Sequence, residues 1–144
     1  MAEDKTVATP IPTEIFRYIE RAEPDFAWKL EDTRELGPNR VHHLVLTSQK
    51  WQDIVWKHNL IVYEPAKLVH KDHVLLFVNG GGIDNVGKPL EIKDMAMGIA
   101  IANNCGARVA TLHQVPNQPL MGNRKEDDLI TETWLKYLET GDST

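Results

Sequence analysis

The chain has little cysteine or serine and no long hydrophobic run. Cys105 is its one cysteine, so no internal disulfide can form, and the disulfide framework of a small secreted scaffold is absent. No apolar stretch approaches the roughly 18 residues of a membrane span. Residues Met1 to Lys5 do not form a signal peptide, although removal of a leader would leave the same start. The cellular compartment therefore stays open.

An excess of basic residues is also absent. The 144 residues include 16 Lys and Arg against 21 Asp and Glu, which gives a net charge of −5. A nucleic-acid surface needs clustered positive charge, so the composition predicts no nucleic-acid partner. With 42% hydrophobic residues, a chain of this length suits one domain with a substantial core. Polar residues and two prolines predict a flexible arm over residues 1–12.

The first half of the chain predicts one short helix and three strands. Thr13 is a suitable N-cap for the helix. Alternating apolar residues predict a half-buried strand around Trp28, and Gly-Pro-Asn predicts a turn at residues 36–39. Residues 41–47 are β-branched and leucine-rich, and residues 56–62 alternate again, so two further strands are indicated. The short connections favour an antiparallel arrangement.

The second half changes to a βαβ pattern. Val74 to Val78 are all apolar, which predicts a central parallel strand buried on both faces. Met95, Ile99 and Ala102 follow at a helical period, and residues 107–115 read as the next strand.

A last amphipathic helix follows this unit. Its first turn contains acidic residues, which suit the positive end of a helix dipole. Its apolar stripe consists of Leu129, Ile130, Thr133, Trp134, Tyr137 and Leu138.

A glycine-rich turn, Gly80-Gly81-Gly82, directly follows the apolar strand. Glycine permits positive φ and lets bare N–H groups approach a ligand closely. Such a loop suits an oxyanion or a phosphate, and it is explained equally well as a tight turn.

Several segments together resemble one protein family. They are Leu46-Thr47-Ser48-Gln49 with Trp51, Trp56-Lys57-His58, the glycine turn, Gln114 to Leu120, Arg124 with Glu126-Asp127, Thr133-Trp134 and Thr140-Gly141-Asp142. With these motifs the chain resembles the PhoPQ-activated pathogenicity-related family, also described as autocrine-proliferation-repressor-like, from about Ile15 onward. The resemblance implies an α/β-hydrolase-like fold, found in exported proteins of several hundred residues. We therefore expect residues 13–144 to be the incomplete N-terminal half of that fold, with antiparallel strands before a parallel βαβ unit.

This reading leaves the chain without a nucleophile. An α/β-hydrolase carries its nucleophile in a glycine-flanked G-x-S-x-G turn after the fifth strand. Ser48, Ser143 and Cys105 all lack this context, and Cys105 is better explained as a buried structural thiol. The sequence predicts that the strand bearing the nucleophile is absent, that this chain holds no catalytic residue, and that alone it is inactive. Gly80, Gly81 and Gly82 are the oxyanion-loop candidates.

His113, Asn117 and Gln118 are the candidates for a substrate loop. His113 lies near the C-terminal end of the second parallel strand, where ligands of open α/β sheets gather. The two amides sit in a loop stiffened by Pro116 and Pro119, where they suit either a substrate carbonyl or the support of the loop backbone. We favour a structural role for all three.

The other histidines do not predict a metal site. His70 and His73 have no third ligand at a suitable spacing. His42 and His43 are adjacent on a strand and must point to opposite faces. His58 lies on the apolar side of its strand, which is typical of a hydrogen-bonded core histidine. We predict no metal and no cofactor.

Two functions remain open from the sequence. In the first, the complete protein hydrolyses acyl or peptide bonds in a small-molecule or peptide substrate, with the glycine loop stabilising the oxyanion. In the second, an exported signalling or binding protein keeps the hydrolase fold without catalysis. In either case the isolated chain is expected to self-associate, because one edge of the strand at residues 74–78 would be bare.

Overall fold

A five-stranded mixed sheet organises residues 13–141, which are the residues that this computed structural model describes. Its elements in chain order are α1 (Glu14–Ile19), β1 (Ala27–Leu36), β2 (Asn39–Trp51), β3 (Ile54–Glu64), β4 (His70–Val78), α2 (Ile92–Cys105), β5 (Ala107–Leu112) and α3 (Glu126–Thr140). The strand order across the sheet is β1-β2-β3-β5-β4. The predicted arm at residues 1–12 and Ser143 lie outside the described residues.

The first three strands form an antiparallel meander, as the sequence predicted. β1 and β2 are joined at the predicted turn, where Gly37 has a φ of 62°. β2 and β3 are joined by Gln52 and Asp53, whose φ angles of 47° and 62° suit the primed turns of tight hairpins. A bulge interrupts the β2–β3 pairing between Thr47 and Gln49.

The predicted βαβ unit is confirmed. β4 and β5 are parallel, with Leu75 opposite Val109, and α2 connects them. Gly106 ends α2 in the left-handed conformation, at a φ of 60°, as expected for a C-terminal cap. β5 also pairs with β3, and this pairing is antiparallel. The sheet therefore contains one parallel pair and is otherwise antiparallel.

The core lies between α2 and the centre of the sheet. Ile61 and Val109 on the sheet and Ala102 on the helix are fully buried, and Met95 is 1% exposed. Gly98 permits the close approach of α2, because a Cβ atom there would lie 2.4 Å from the ring of Tyr63. Apolar burial of this kind is the main stabilising contribution to such a domain.

The expectation of a central, doubly buried strand at Val74 to Val78 is wrong for the residues described. β4 is an edge strand that pairs only with β5, and the five residues are 38–60% exposed. The reason is the position of α2, whose contacts with the sheet are to β2, β3 and β5. The uninterrupted apolar run therefore shows that the strand is suited to burial on both faces. It does not show whether other elements of the chain pack over those faces.

Three smaller expectations also need correction. Trp28, expected on a half-buried strand, is 63% exposed because β1 is the opposite edge of the sheet. Cys105 is exposed rather than a buried thiol, since it lies in the last turn of α2. The helix α3 is present and ends at Gly141, but only Leu129 of its apolar stripe is buried.

Candidate functional site

The glycine turn and the end of β5 run side by side beyond the sheet. The backbone N–H of Asn79 donates to the carbonyl of Leu112 at 2.7 Å. The N–H of Gln114 in turn donates to the carbonyl of Gly80 at 3.1 Å. The candidate oxyanion loop therefore lies at the carboxyl ends of the two parallel strands, where open α/β sheets bind ligands.

The three glycines of the turn have different structural requirements. Gly81 has a φ of 126°, a conformation that side chains rarely adopt, and a Cβ atom there would lie 3.4 Å from Nε2 of Gln114. A Cβ atom at Gly82 would lie 2.5 Å from a carboxylate oxygen of Asp84. Gly80, by contrast, has open space around it and no positive φ. The loop thus requires glycine at position 81 and tolerates a side chain at position 80.

The backbone N–H groups of Gly80, Gly81 and Gly82 form no hydrogen bond with any residue between 13 and 141. Gly80 and Gly81 are exposed, and Gly82 is half-buried. Exposed N–H groups in an irregular turn are able to donate to an anionic oxygen. The turn therefore offers donors that no described residue uses.

The loop from Val115 to Leu120 supports the glycine turn from the side. Both of its prolines, Pro116 and Pro119, follow cis peptide bonds. The N–H of Ile83 donates to the carbonyl of Gln118 at 2.9 Å, and Gly82 and Gln118 form an isolated parallel bridge. The two loops are therefore joined into one surface.

The side chains of Asn117 and Gln118 are buried and have protein partners. The amide of Asn117 receives the N–H of Lys57 and donates to the carbonyl of the same residue. The amide of Gln118 donates to Glu126 at 2.6 Å and accepts the N–H of Glu126 at 2.9 Å. These contacts support the structural reading of both amides, while a contact with substrate stays a prediction.

A buried asparagine of β3, Asn59, forms hydrogen bonds with the segment that follows the glycine turn, and it was not among the predicted site residues. Its side-chain oxygen accepts from Nε2 of His43 and from the N–H of Gly87, both at 2.9 Å, and its amide donates to the carbonyl of Asn85 at 2.9 Å. Its own N–H donates to the side chain of Gln114 at 2.8 Å. The sequence feature that could have identified Asn59 is its position two residues before Ile61. Side chains two residues apart on a strand lie on the same face, so Asn59 shares the face of this buried residue.

His113, the third candidate of the substrate loop, lies half-buried at the end of β5. Its N–H donates to the carbonyl of Asn59 at 2.9 Å, and its ring Nε2 lies 3.2 Å from the hydroxyl of Thr111. Burial lowers the pKa of His113, and the nearby His43 lowers it further. The neutral imidazole is therefore favoured, and its contacts support the structural role that we expected.

The remaining histidines are dispersed. His42 and His43 point to opposite faces, since His42 contacts Thr33 and His43 contacts Asn59. His70 and His73 are exposed with their ring centroids 6.0 Å apart. Between residues 13 and 141, no three side chains of His, Cys, Asp or Glu are grouped to hold a metal ion. No helix in the same span has the length and apolar character needed to cross a membrane.

Comparison with known proteins identifies a protein family and a curated relative. The family model described as PhoPQ-activated pathogenicity-related protein matches residues 15–144. The autocrine proliferation repressor protein A of Dictyostelium discoideum is 32% identical over 142 residues, which covers 92% of this chain and 28% of that protein. The chain thus spans little more than a quarter of this relative's length. No solved structure matches the chain.

Proposed function

Because the chain belongs to the PhoPQ-activated pathogenicity-related protein family, we propose that it is the N-terminal part of an α/β-hydrolase-like enzyme that cleaves acyl or peptide bonds. In this proposal, the N–H groups of Gly81 and Gly82 donate to the oxyanion of a tetrahedral intermediate. The serine nucleophile, its histidine and its acid come from another part of a longer polypeptide.

The order and direction of the strands support the proposed fold. A hydrolase-like sheet places one antiparallel strand before its run of parallel strands, and β3 is antiparallel to β5 while β4 and β5 are parallel. The outer edge of β4 has no partner strand among the described residues. A further parallel strand, carrying the nucleophile, would pair with this edge, and the helices that connect such strands would cover the apolar faces of β4.

The observation that carries the proposal is the set of unused N–H groups beside Gly81. They lie at the carboxyl end of β4, which is where an oxyanion loop belongs in a sheet of this kind. The carboxylate of Asp84 lies close to Gly82. A permanent negative charge there disfavours a bound phosphate dianion more than it disfavours an oxyanion that exists only in the transition state.

The test uses the longer protein and compares two neighbouring glycines. Gly81→Val forces a branched side chain into a positive φ and against Gln114, so we expect kcat for an aryl ester to fall roughly 10²-fold. Gly80→Ala is the matched control, because its Cβ atom meets nothing within 4 Å. This control is expected to keep kcat within about twofold of the wild type. Circular dichroism and active-site titration give the folded, competent fraction of each variant.

A turn without a catalytic role gives a different result. In that case Gly81→Val lowers the folded fraction but leaves the turnover per folded molecule unchanged. Such an outcome would reject the oxyanion assignment, because a missing donor acts on kcat directly.

A second candidate is an exported signalling or binding protein without catalytic activity. The name of the Dictyostelium relative, an autocrine proliferation repressor, favours it. The two candidates differ in the rest of the polypeptide. A glycine-flanked serine followed by an aspartate and a histidine is required by the hydrolase, and the absence of these residues would favour the signalling protein.

A further inference from the structure

The side chains of Ser48 and His58 form a cross-strand pair that lies outside the glycine turn. The hydroxyl oxygen of Ser48 is 2.9 Å from Nε2 of His58. The other ring nitrogen, Nδ1, is 2.9 Å from the backbone carbonyl oxygen of His113. His58 is 3% exposed, so these contacts define its environment.

The two contacts fix the tautomer of His58. A backbone carbonyl only accepts hydrogen bonds, so Nδ1 must carry the proton that it donates to His113. In the neutral ring, Nε2 is then the acceptor, and the hydroxyl of Ser48 must be the donor. This is the arrangement in which a histidine takes the proton of a serine nucleophile, with the carbonyl in the place of the usual carboxylate.

Ser48 lies in a β-bulge of β2, on the face of the sheet that His58 of β3 shares. Thr47 is opposite Lys57 and Gln49 is opposite Trp56, so Ser48 is the extra residue on β2. Bulges occur often beside active sites.

A surface cavity lies beside Ser48. Ser48 is half-buried and lines a surface cavity of about 520 Å³. Polar and charged side chains form most of the remaining wall, among them Arg21, Glu23, Gln49 and Lys50. The cavity is therefore suited to a short acyl group on a polar ester rather than to a long apolar chain.

Contrary to the expectation from the missing G-x-S-x-G turn, we propose that Ser48 is a nucleophile, activated by His58, that accepts an acyl group from short-chain activated esters. Oγ of Ser48 forms the new bond to the acyl carbon, and its proton passes to Nε2 of His58. The bond between the acyl carbon and the leaving oxygen breaks, and His58 returns the proton to that oxygen. The step needs neither the glycine turn nor any other segment, so it is independent of the function proposed above.

The chain contains a similar pair that serves as a control. The hydroxyl of Thr33 is 3.0 Å from Nδ1 of His42, also across two neighbouring strands. Between residues 13 and 141, the Nε2 atom of His42 has no hydrogen-bond partner, so nothing fixes its tautomer. Removal of this imidazole tests for unspecific effects of a missing surface histidine.

The experiment treats the 144-residue chain with a fluorophosphonate probe and, separately, with p-nitrophenyl acetate. Peptide mapping by mass spectrometry identifies the modified residue, and p-nitrophenolate release gives the rate. We expect one label per chain at Ser48, none in Ser48→Ala, a roughly 10²-fold slower reaction in His58→Gln, and an unchanged reaction in His42→Gln. Circular dichroism compares the folding of the variants, and a sample in urea provides a second measurement if His58→Gln does not fold.

Each outcome decides the proposal. Labelling of Ser48 that disappears in urea and falls in His58→Gln supports it, because only the folded pair activates the hydroxyl. A folded wild-type chain without label at Ser48 would overturn it, and so would labelling that survives in urea or in folded His58→Gln. The glycine-turn variants do not enter this test, so its failure leaves the hydrolase proposal untouched.

Discussion

The centre of the sheet and its β4 edge both carry large apolar side chains, but in opposite environments. Ile61 of β3 and Val109 of β5 are fully buried beneath α2. Val74 and Leu76 of β4, one strand further out, are 60% and 53% exposed. Because the four side chains compared are all aliphatic, the difference comes from the position of α2 and not from hydrophobicity.

The comparison separates a covered part of the sheet from an uncovered one. Burial at the centre contributes a large favourable free energy, whereas the exposed strand contributes little until something covers it. The outer edge of β4 also presents free N–H and C=O groups, which form a template for pairing with another strand. The open edge should therefore govern association, and the closed centre should govern stability.

The largest expected effect is on association through β4. We expect the isolated chain to self-associate, since residues 74–78 contain no charge or proline that would block edge-to-edge pairing. Leu76→Lys places a charge on this strand and should convert the chain to a monomer. Size-exclusion chromatography with light scattering measures the change, and hydrogen exchange reports protection of the amides of β4.

The other edge of the sheet supplies the control for this experiment. Leu30 on β1 is 49% exposed, close to the value of Leu76, but Lys29 and Glu31 already flank it with charge. Leu30→Lys should therefore leave the association unchanged. A monodisperse wild-type chain with strongly protected β4 amides would contradict the prediction, and it would show that the edge is covered in another way.

The next effect concerns stability at the closed centre. Ile61→Ala removes a fully buried side chain and should lower the free energy of unfolding by about 2–5 kcal/mol. Ile92→Ala makes the same chemical change at a residue that is 65% exposed, and it should cost less than about 1 kcal/mol. Urea unfolding in the Leu76→Lys background, where the chain is expected to be monomeric, gives both values. Equal losses in the two variants would contradict the contrast between covered and exposed apolar residues.

Local signals predicted most of the secondary structure and part of the topology. The βαβ unit followed from the apolar period of α2 and from Gly106, which caps that helix as expected. The antiparallel meander followed from short turns. The exposure of β4 and of Trp28 could not be predicted in the same way, because burial depends on which elements pack over a strand and not on the strand itself.

The candidate site was predicted only in part, because local motifs identify loops but not the contacts between strands. The glycine turn, His113, Asn117 and Gln118 were placed at one end of the sheet, and the structure brings them together there. The network of Asn59 and the pairing of Ser48 with His58 were missed. Both depend on cross-strand register, which the pattern of a single strand does not specify.

The smallest predicted effect is a pH dependence of the stability. It arises from His113, which is half-buried just after the end of β5. Burial lowers the pKa of His113, and the neighbouring His43 lowers it further. In the unfolded chain histidine titrates near about 6.5, so just below that pH the unfolded state binds more protons than the folded state. Stability therefore rises with pH in this window: the contribution of neutral His113 is fully present above about pH 6.5 and is lost as the pH falls toward the lowered pKa.

The measurement compares the wild-type residue with His113→Gln, both in the monomeric Leu76→Lys background. Glutamine keeps an amide that is able to bond to Thr111, where the ring of His113 now bonds at 3.2 Å, but it has no proton to gain in this range. Urea unfolding between about pH 7.5 and pH 5.5 should show a smaller loss of stability in the glutamine variant. The same loss in both proteins would assign the pH dependence to other histidines. A larger loss in the glutamine variant would mean that protonation of His113 stabilises the fold, against the direction that its burial requires.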